Sequence, residues 1–331
     1  MKTVLTGVKP THFPHIGNYL GAIRPALKMA NEPGTQGVLF VADYHALTFM
    51  HEPKKMSEYT YSVAATWMAC GLDPSKTLIY RQSDVPEIFE LAWILSCFTP
   101  KGLMNRAHAY KAKLAENQES GKADLDYGVN VGLYTYPVLM AADILAFEAD
   151  EVPVGEDQVQ HIEIARDIAE KINRTYGEVL KLPKYIIQKE VKTVPGLDGR
   201  KMSKSYGNHI PLFESSKKMR KLVMKIKTDS TEPEEPKNPD DSILMDLYKE
   251  FASGDQVEDL KQRYHQGIGW GYVKQDLFEV MDSHIEPLRN QYNELMNDTN
   301  HLDNVLKVGA EQARERTKAL MQRLRSQIGI S

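Results

Sequence analysis

The sequence predicts an α/β fold, a doubly wound parallel sheet followed by a C-terminal all-α domain, on three observations. Short apolar runs alternate with amphipathic stretches as far as about Tyr206. From about Phe213 the pattern is helical, with no convincing strand. Loops suited to anions follow the strand candidates, as at the carboxyl edge of a parallel sheet. The plainest is Lys201-Met202-Ser203-Lys204-Ser205.

Val4-Leu5-Thr6-Gly7 reads as the first strand. Pro14 suits the first turn of a helix, where its missing N–H costs nothing, and that helix runs through Ile23 and Leu27. Val38-Leu39-Phe40-Val41-Ala42 is the second strand, and a helix over about Lys54 to Cys70 ends at Gly71. Thr77-Leu78-Ile79-Tyr80 is the third strand, followed by a helix from Pro86 to Phe98. Residues 101–135 are more polar, and Gly121, Gly128 and Gly132 mark a flexible connection. Pro137 to Phe147 is apolar and helical. Val152-Pro153-Val154 is a short strand that delivers Gly155-Glu156-Asp157-Gln158 to a helix reaching Tyr176. Thr231 to Asp241 holds three prolines and many acids and reads as a surface linker. A domain boundary is placed near residue 206.

The bulk numbers set limits. The 331 residues suffice for two domains of unequal size, and 42% hydrophobic with 26% charged residues is ordinary for a soluble globular protein. No apolar run approaches the roughly 20 residues needed to cross a bilayer, and the start has no signal-peptide layout. Cys70 and Cys97 are the only cysteines, too few for a four-cysteine cluster and consistent with thiols in a reducing cytoplasm. A net charge of −4 argues against a general nucleic-acid binder but not against a local basic face. Two such faces are on offer: Lys217, Lys218, Arg220, Lys221, Lys225 and Lys227, and the run from Arg314 to Arg325. Either also reads as a solvated helix face.

The chemistry lies in the loops. Pro195-Gly196 and Asp198-Gly199 turn signals precede Lys201–Ser205, which can bend around an anion and set two ammonium groups on it. The segment Lys9 to Asn18 follows the first strand and feeds a helix N-terminus, which attracts phosphate. Gly17 lets the backbone approach a purine. His15 and Asn18, three apart, share a helix face and can both donate to phosphate oxygens. Alone, His15-Ile16-Gly17-Asn18 is an ordinary helix start; beside Lys201–Ser205 it reads as half of an ATP site. Asp143, Met140, His45 and His161, taken alone, read as core residues.

Five strings carry a resemblance: Thr6-Gly7-Val8-Lys9-Pro10-Thr11, His15-Ile16-Gly17-Asn18, Tyr136 to Leu145, Val152 to Gln158, and Lys201 to Ser205. In them the chain resembles the bacterial-type tryptophanyl-tRNA synthetases, a class I aminoacyl-tRNA synthetase family, over nearly its whole length. The tyrosyl family shares the first and last strings in looser form. The resemblance implies a Rossmann-like catalytic domain over residues 1–206 with a dimerisation insertion at about 75–140, and a helical tRNA anticodon-binding domain over 207–331. It implies that L-tryptophan is activated by ATP to tryptophanyl-adenylate, with release of pyrophosphate, and passed to tRNA(Trp). Mg²⁺ accompanies the ATP, no residue is assigned as a metal ligand, and the enzyme is a cytoplasmic homodimer.

Residue by residue, the resemblance gives catalytic roles to His15, Asn18, Lys201 and Lys204. It puts Lys9, Pro10, Thr11, Gly17, Asn18, Gly155, Glu156, Asp157, Lys201, Met202, Ser203, Lys204 and Ser205 around ATP. Asp143 accepts the indole N–H, and Gln158 holds the amino and carboxylate end. Met140, Ile144, Val152 and Val154 clasp the ring, with Leu5 and Gly7 beside it. Lys111 or Lys113 corresponds to a further lysine near the phosphates. The chain departs from many members at His12, where they carry Gly, at Lys9, where they carry Gln, and at Leu5, where they carry Phe. Other readings remain open at this point: tyrosine activation on the same fold, a nucleotidylyltransferase acting without tRNA, and a non-catalytic RNA-binding paralogue.

Overall fold

The computed structural model describes residues 1–187 and 193–330; Ser331, where the expected second domain ends, lies outside them. Strands β1 (Lys2–Val8), β2 (Thr35–Val41), β3 (Leu78–Arg81), β4 (Glu151–Val154) and β5 (Lys184–Ile187) are all parallel, in the order β3-β2-β1-β4-β5. This is the doubly wound, Rossmann-like arrangement. Strand order reverses between β1 and β4, which makes the carboxyl ends of these two strands the place for a ligand. Their pairing is confined to Val4 and Glu151, so the crevice opens directly above that point. Strand β5 has no counterpart in the sequence reading: Lys184-Tyr185-Ile186-Ile187 is an edge strand with largely accessible side chains.

The helices that follow β1 are α1 (Ile16–Asn18) and α2 (Arg24–Ala30), joined by a π-helical turn over Tyr19–Ile23. The helix begins at Ile16 rather than Pro14, because His15 takes the capping position in extended backbone. After β2 come α3 (Asp43–Ala46) and α4 (Pro53–Ala69), and after β3 comes α5 (Pro86–Phe98). The polar stretch 101–135 is more ordered than its composition suggests, with α6 (Lys101–Met104) and α7 (His108–Glu119). Asn117 is buried there and donates to the carbonyls of Leu125 (2.7 Å) and Tyr127 (2.8 Å). Helix α8 (Val131–Ala146) starts before Pro137 and carries it inside. Helix α9 (Val159–Tyr176) follows β4.

Beyond the Lys201–Ser205 loop the described residues are helical: α10 (Ser216–Val223), α11 (Ile243–Tyr248), α12 (Gly254–Gln266), α13 (Trp270–Asn297) and α14 (Thr299–Ile328). The Thr231–Asp241 stretch is a tied loop, since buried Lys237 donates to the carbonyls of Glu232 (2.6 Å), Pro233 (3.3 Å) and Glu235 (2.9 Å).

Side-chain alternation along the strands makes two cores. Leu39, Val41 and Ile79 join a core shared with α4 and the C-terminal helices. Leu5, Val38, Phe40, Leu78 and Tyr80 join one shared with α5, α8 and α9. Helix α14 serves both, through Leu302 and Leu306 on one side and Ala313, Leu320 and Leu324 on the other. It crosses at Gly309, where a Cβ would stand 1.7 Å from the Ile79 carbonyl oxygen. The outer edge of β3 is thus covered by the end of the chain. Among the described residues no helix is long and apolar enough to cross a membrane.

Candidate active site

The loop leaving β1 is held by local hydrogen bonds. The Asn18 N–H donates to His15 Nδ1 (3.3 Å) and the His15 N–H to Asn18 Oδ1 (3.0 Å), a capping box built from a histidine and an asparagine. Because Nδ1 accepts, the ring proton sits on Nε2. Burial and the neighbouring His209 and His12 push His15 down to about 4, so the ring is neutral.

The two signature loops touch. The Gly17 N–H reaches Met202 Sδ at 3.2 Å, and a Cβ on Gly17 would come within 3.0 Å of the His15 ring and 3.3 Å of Met202 Cβ. The Ile16 N–H donates to Ile210 O (2.9 Å) and the Leu212 N–H to Pro14 O (3.0 Å), so the run after Lys201–Ser205 lies against the loop after β1. Asn208 shapes the second loop, a part that sequence reading did not assign. Its Oδ1 accepts from Ser203 N (2.8 Å), and its Nδ2 donates to Lys201 O (3.1 Å) and Asp198 Oδ1 (2.7 Å). Lys201 and Lys204 are exposed, and neither has an ion-pair partner among the described residues.

A cavity of about 1370 Å³ lies between these loops and the end of β4. Of the residues expected around ATP, Thr11, Gly17, Asn18, Gly155, Glu156, Asp157 and Lys201 through Ser205 line it, together with His15 and the unassigned His12. Lys9 and Pro10 do not. Pro10 is buried. Lys9 places its ammonium 5.9 Å above the Tyr136 ring, and burial by the surrounding protein holds it below the usual lysine range.

The residues expected around an indole fall into two groups. Val154 lines the cavity, Met140 is half-buried, Gly7 is exposed, and Gln158 donates to Asp157 Oδ2 at 2.8 Å. Leu5, Ile144 and Val152 are closed inside the second core and form no cavity wall. The Phe40 ring occupies the space over Gly7, where a Cβ would lie 2.4 Å from its Cζ.

Asp143 is wholly buried. Its Oδ1 accepts from Gln82 Nε2 at 2.8 Å, and Oδ2 from the same nitrogen at 3.0 Å and from His45 Nε2 at 2.8 Å. Burial raises its pKa while His45 and Gln82 oppose the rise. Buried Gln82 Oε1 and Tyr80 Oη have no hydrogen-bond partner among the described residues. Tyr136 packs nearby, its hydroxyl bonded to His161 Nε2 and its ring 6.2 Å from that of His45. His161, pushed down to about 4 by burial first of all, is neutral. Nothing in the sequence singled out Gln82. Tyr136 opened one of the quoted strings, and His45 and His161 read as packed. Lys111 and Lys113 lie on α7, where Lys113 pairs with Glu116 at 3.0 Å.

Comparison with known proteins agrees with this geometry. The family model described as tRNA synthetases class I (W and Y) matches residues 1–286. The tryptophan–tRNA ligase of Neisseria meningitidis is 50% identical over 329 residues, covering 99% of this chain and 98% of the relative. That of Bordetella pertussis is 49% identical over 329 residues, covering 99% of this chain and 73% of the relative. Among solved structures, the tryptophanyl-tRNA synthetase of Campylobacter jejuni, crystallised with ADP and tryptophan, superposes with a TM-score of 0.90 at 42% identity, covering 99% of both chains.

Proposed function

The chain belongs to the class I tRNA synthetases of the tryptophan and tyrosine family, and from that premise we infer that it is an ATP-dependent ligase joining L-tryptophan to tRNA(Trp). The observation that carries the reading is the contact of the two signature loops, Gly17 N–H on Met202 Sδ, over one cavity at the strand-order reversal.

In the first step a tryptophan carboxylate oxygen attacks the α-phosphorus of ATP. The bond from that phosphorus to the bridging oxygen of pyrophosphate breaks, and pyrophosphate leaves with the electron pair. The nucleophile is already anionic, so no protein base is needed; rate comes from positioning and from stabilising charge on the leaving group. Lys201 and Lys204, without carboxylate partners, are the cations for that charge. His15 Nε2–H and the Asn18 side-chain amide hold the phosphates, while the Gly17 and Asn18 backbone N–H groups, already bonded to Met202 and His15, fix the shape of the loop. In the second step a terminal tRNA hydroxyl attacks the acyl carbon, the bond from that carbon to the phosphate oxygen breaks with AMP taking the electron pair, and the hydroxyl proton passes to the departing phosphate or to water.

For the amino acid, Asp143 accepts the indole N–H, oriented by Gln82 and His45. Met140, Val154 and Gly7 flank the ring. Leu5, Ile144 and Val152 back this wall from the core, and Gln158 holds the α-amino end. Lys9, Pro10 and Thr11 shape the passage between the two subsites.

Among the described residues no three His, Cys, Asp or Glu side chains converge as a metal site. Among the described residues Glu156 and Asp157 are the carboxylates on the cavity wall that would face a Mg²⁺ carried in on the phosphates. It would supply charge neutralisation on the phosphate oxygens.

The division into a catalytic unit over 1–206 and an anticodon-binding unit over 207–331 remains part of this proposal, as does a cytoplasmic homodimer. Support for the dimer comes from exposed apolar side chains around the expected interface, Trp93 at 73% and Val131 at 77% exposure. Pyrophosphate exchange run with each of the twenty amino acids tests the activity. Exchange is expected with tryptophan, and exchange with tyrosine instead would overturn the substrate assignment.

A further inference from the structure

Three imidazoles pack together beside the cavity, His12 and His15 on its wall and His209 behind them. The His12 and His15 ring centroids are 6.2 Å apart and stacked, and those of His15 and His209 are 5.8 Å apart. They come from two segments, the loop after β1 and the run after Lys201–Ser205, clamped by the Ile16–Ile210 backbone bond. His12 lines the cavity, and its Nδ1 lies 2.6 Å from Thr11 Oγ1. His209 Nδ1 is buried and has no hydrogen-bond partner among the described residues. His12 Nε2 has none among them either, so on the cavity wall it is uncommitted.

Among the described residues the charged groups around the cluster are few. Lys204 faces His12 and His209, and the three imidazoles face one another. Lys201 stands on the same loop as Lys204, and Glu156 and Asp157 stand on the β4 side of the cavity. All three rings are held below the usual imidazole range, by burial first, then by Lys204 at His12 and His209 and by the neighbouring imidazoles at His15. The empty site is thus a row of neutral rings in a positive field. A polyphosphate reverses the sign of that field and favours the protonated form.

We propose that His12 extends the phosphate subsite begun by His15, with His209 packed behind both rings, and that ATP enters it with uptake of a proton by this imidazole cluster. The proposal rests on the ATP-dependent reading above. It gives His12 a role in nucleotide binding. Chemically the ligand is a polyphosphate chain, and His12 Nε2 is the added donor.

The test is calorimetry of ATP binding to the full chain between about pH 6 and about pH 8, where an imidazole titrates, in buffers of differing ionisation enthalpy. The wild-type chain is expected to bind ATP about tenfold more tightly at the acid end, the linkage of one proton over one pH unit. The His12→Asn/His209→Asn variant should flatten this to about twofold or less. The terminal phosphate of ATP contributes equally to both proteins, so the difference in protons bound is the quantity read. Tryptophan binding should be unchanged; if the double variant loses it, His12→Asn alone, at the half-exposed rim of the cavity, is read in its place. Equal proton uptake in wild type and variant overturns the proposal and leaves the ATP reading standing. Failure of both proteins to bind ATP while they bind tryptophan overturns the ATP reading itself.

Discussion

At the scale of single residues, the role proposed for Asp143 in amino-acid choice rests on a carboxylate that His45 and Gln82 already orient. Removing it leaves an indole N–H and Gln82 Nε2 without an acceptor. Asp143→Ala should therefore weaken tryptophan binding by about 1–3 kcal/mol, the cost of an unpaired buried polar group, with ATP binding hardly changed. Unaltered tryptophan activation in that variant would sink the assignment. Asp143 was legible in the sequence because it stands in a distinctive string. Its partners were not, because His45 is 98 positions away and Gln82 is 61. Single residues also fix the acid response. His15 and His161 are neutral in the fold, lowered from 6.5 to about 4 by burial, and they charge in the unfolded chain at the higher value. The unfolded state therefore binds more protons in this window, so their contribution to stability is present above 6.5 and lost as pH falls toward about 4. Thermal midpoints should drop across that interval, and by less in His161→Gln. A flat profile would show that these rings are not held neutral.

At the scale of elements, the loop Lys201–Ser205 is built to present cations rather than to bury them. Asn208 spans it with three hydrogen bonds, and Lys201 and Lys204 are exposed with no ion pair among the described residues. Substituting either lysine by Ala should slow adenylate formation far more than it raises the Michaelis constant for tryptophan, since the charge they meet grows as pyrophosphate leaves. A change confined to the tryptophan constant would make the loop a substrate-binding element instead. Strands β1 to β4 and helices α4, α5 and α9 were readable from apolar runs and turn residues. Helix α7 was not, because Asn117 is its only buried side chain and no apolar stripe marks it. Strand β5 escaped because an accessible edge strand of four residues lacks a core-facing pattern. The start of α1 was misplaced by one cap: Pro14 looked like a first-turn residue, and histidine is not among the usual capping side chains.

For the whole molecule, a net charge of −4 conceals an uneven surface. The cations of α14 are engaged within the chain: Arg314 with Glu87, Arg323 with Glu148, Arg325 with Glu90, and Arg316 with the Thr3 hydroxyl. On and after α10, Lys217, Lys221, Lys225 and Lys227 are exposed and have no ion pair among the described residues. Of the two basic stretches, α10 is the one free to meet RNA phosphates. Reversing charge at Lys217 and Lys221 should reduce tRNA charging, steepen no other step, and leave pyrophosphate exchange nearly intact; tRNA affinity should also fall with salt while exchange does not. Intact charging in that variant would place the RNA elsewhere. The helix that is spoken for has a different task. Gly309→Ala forces a methyl group onto the Ile79 carbonyl and should lower stability by about 1–3 kcal/mol, the usual cost of overpacking, read as a lower thermal midpoint. An unchanged midpoint would mean that α14 does not sit against β3. Seating that helix on β3 also orders events in time. The three strands on that side of the sheet are synthesised by Arg81, but the cover for their outer edge begins only at Thr299. An uncovered parallel edge is a template for other chains, so a growing polypeptide carries an adhesive flank through most of its translation. Until the thirty-residue helix from Thr299 to Ile328 has been made and seated, nothing it supplies shields that flank.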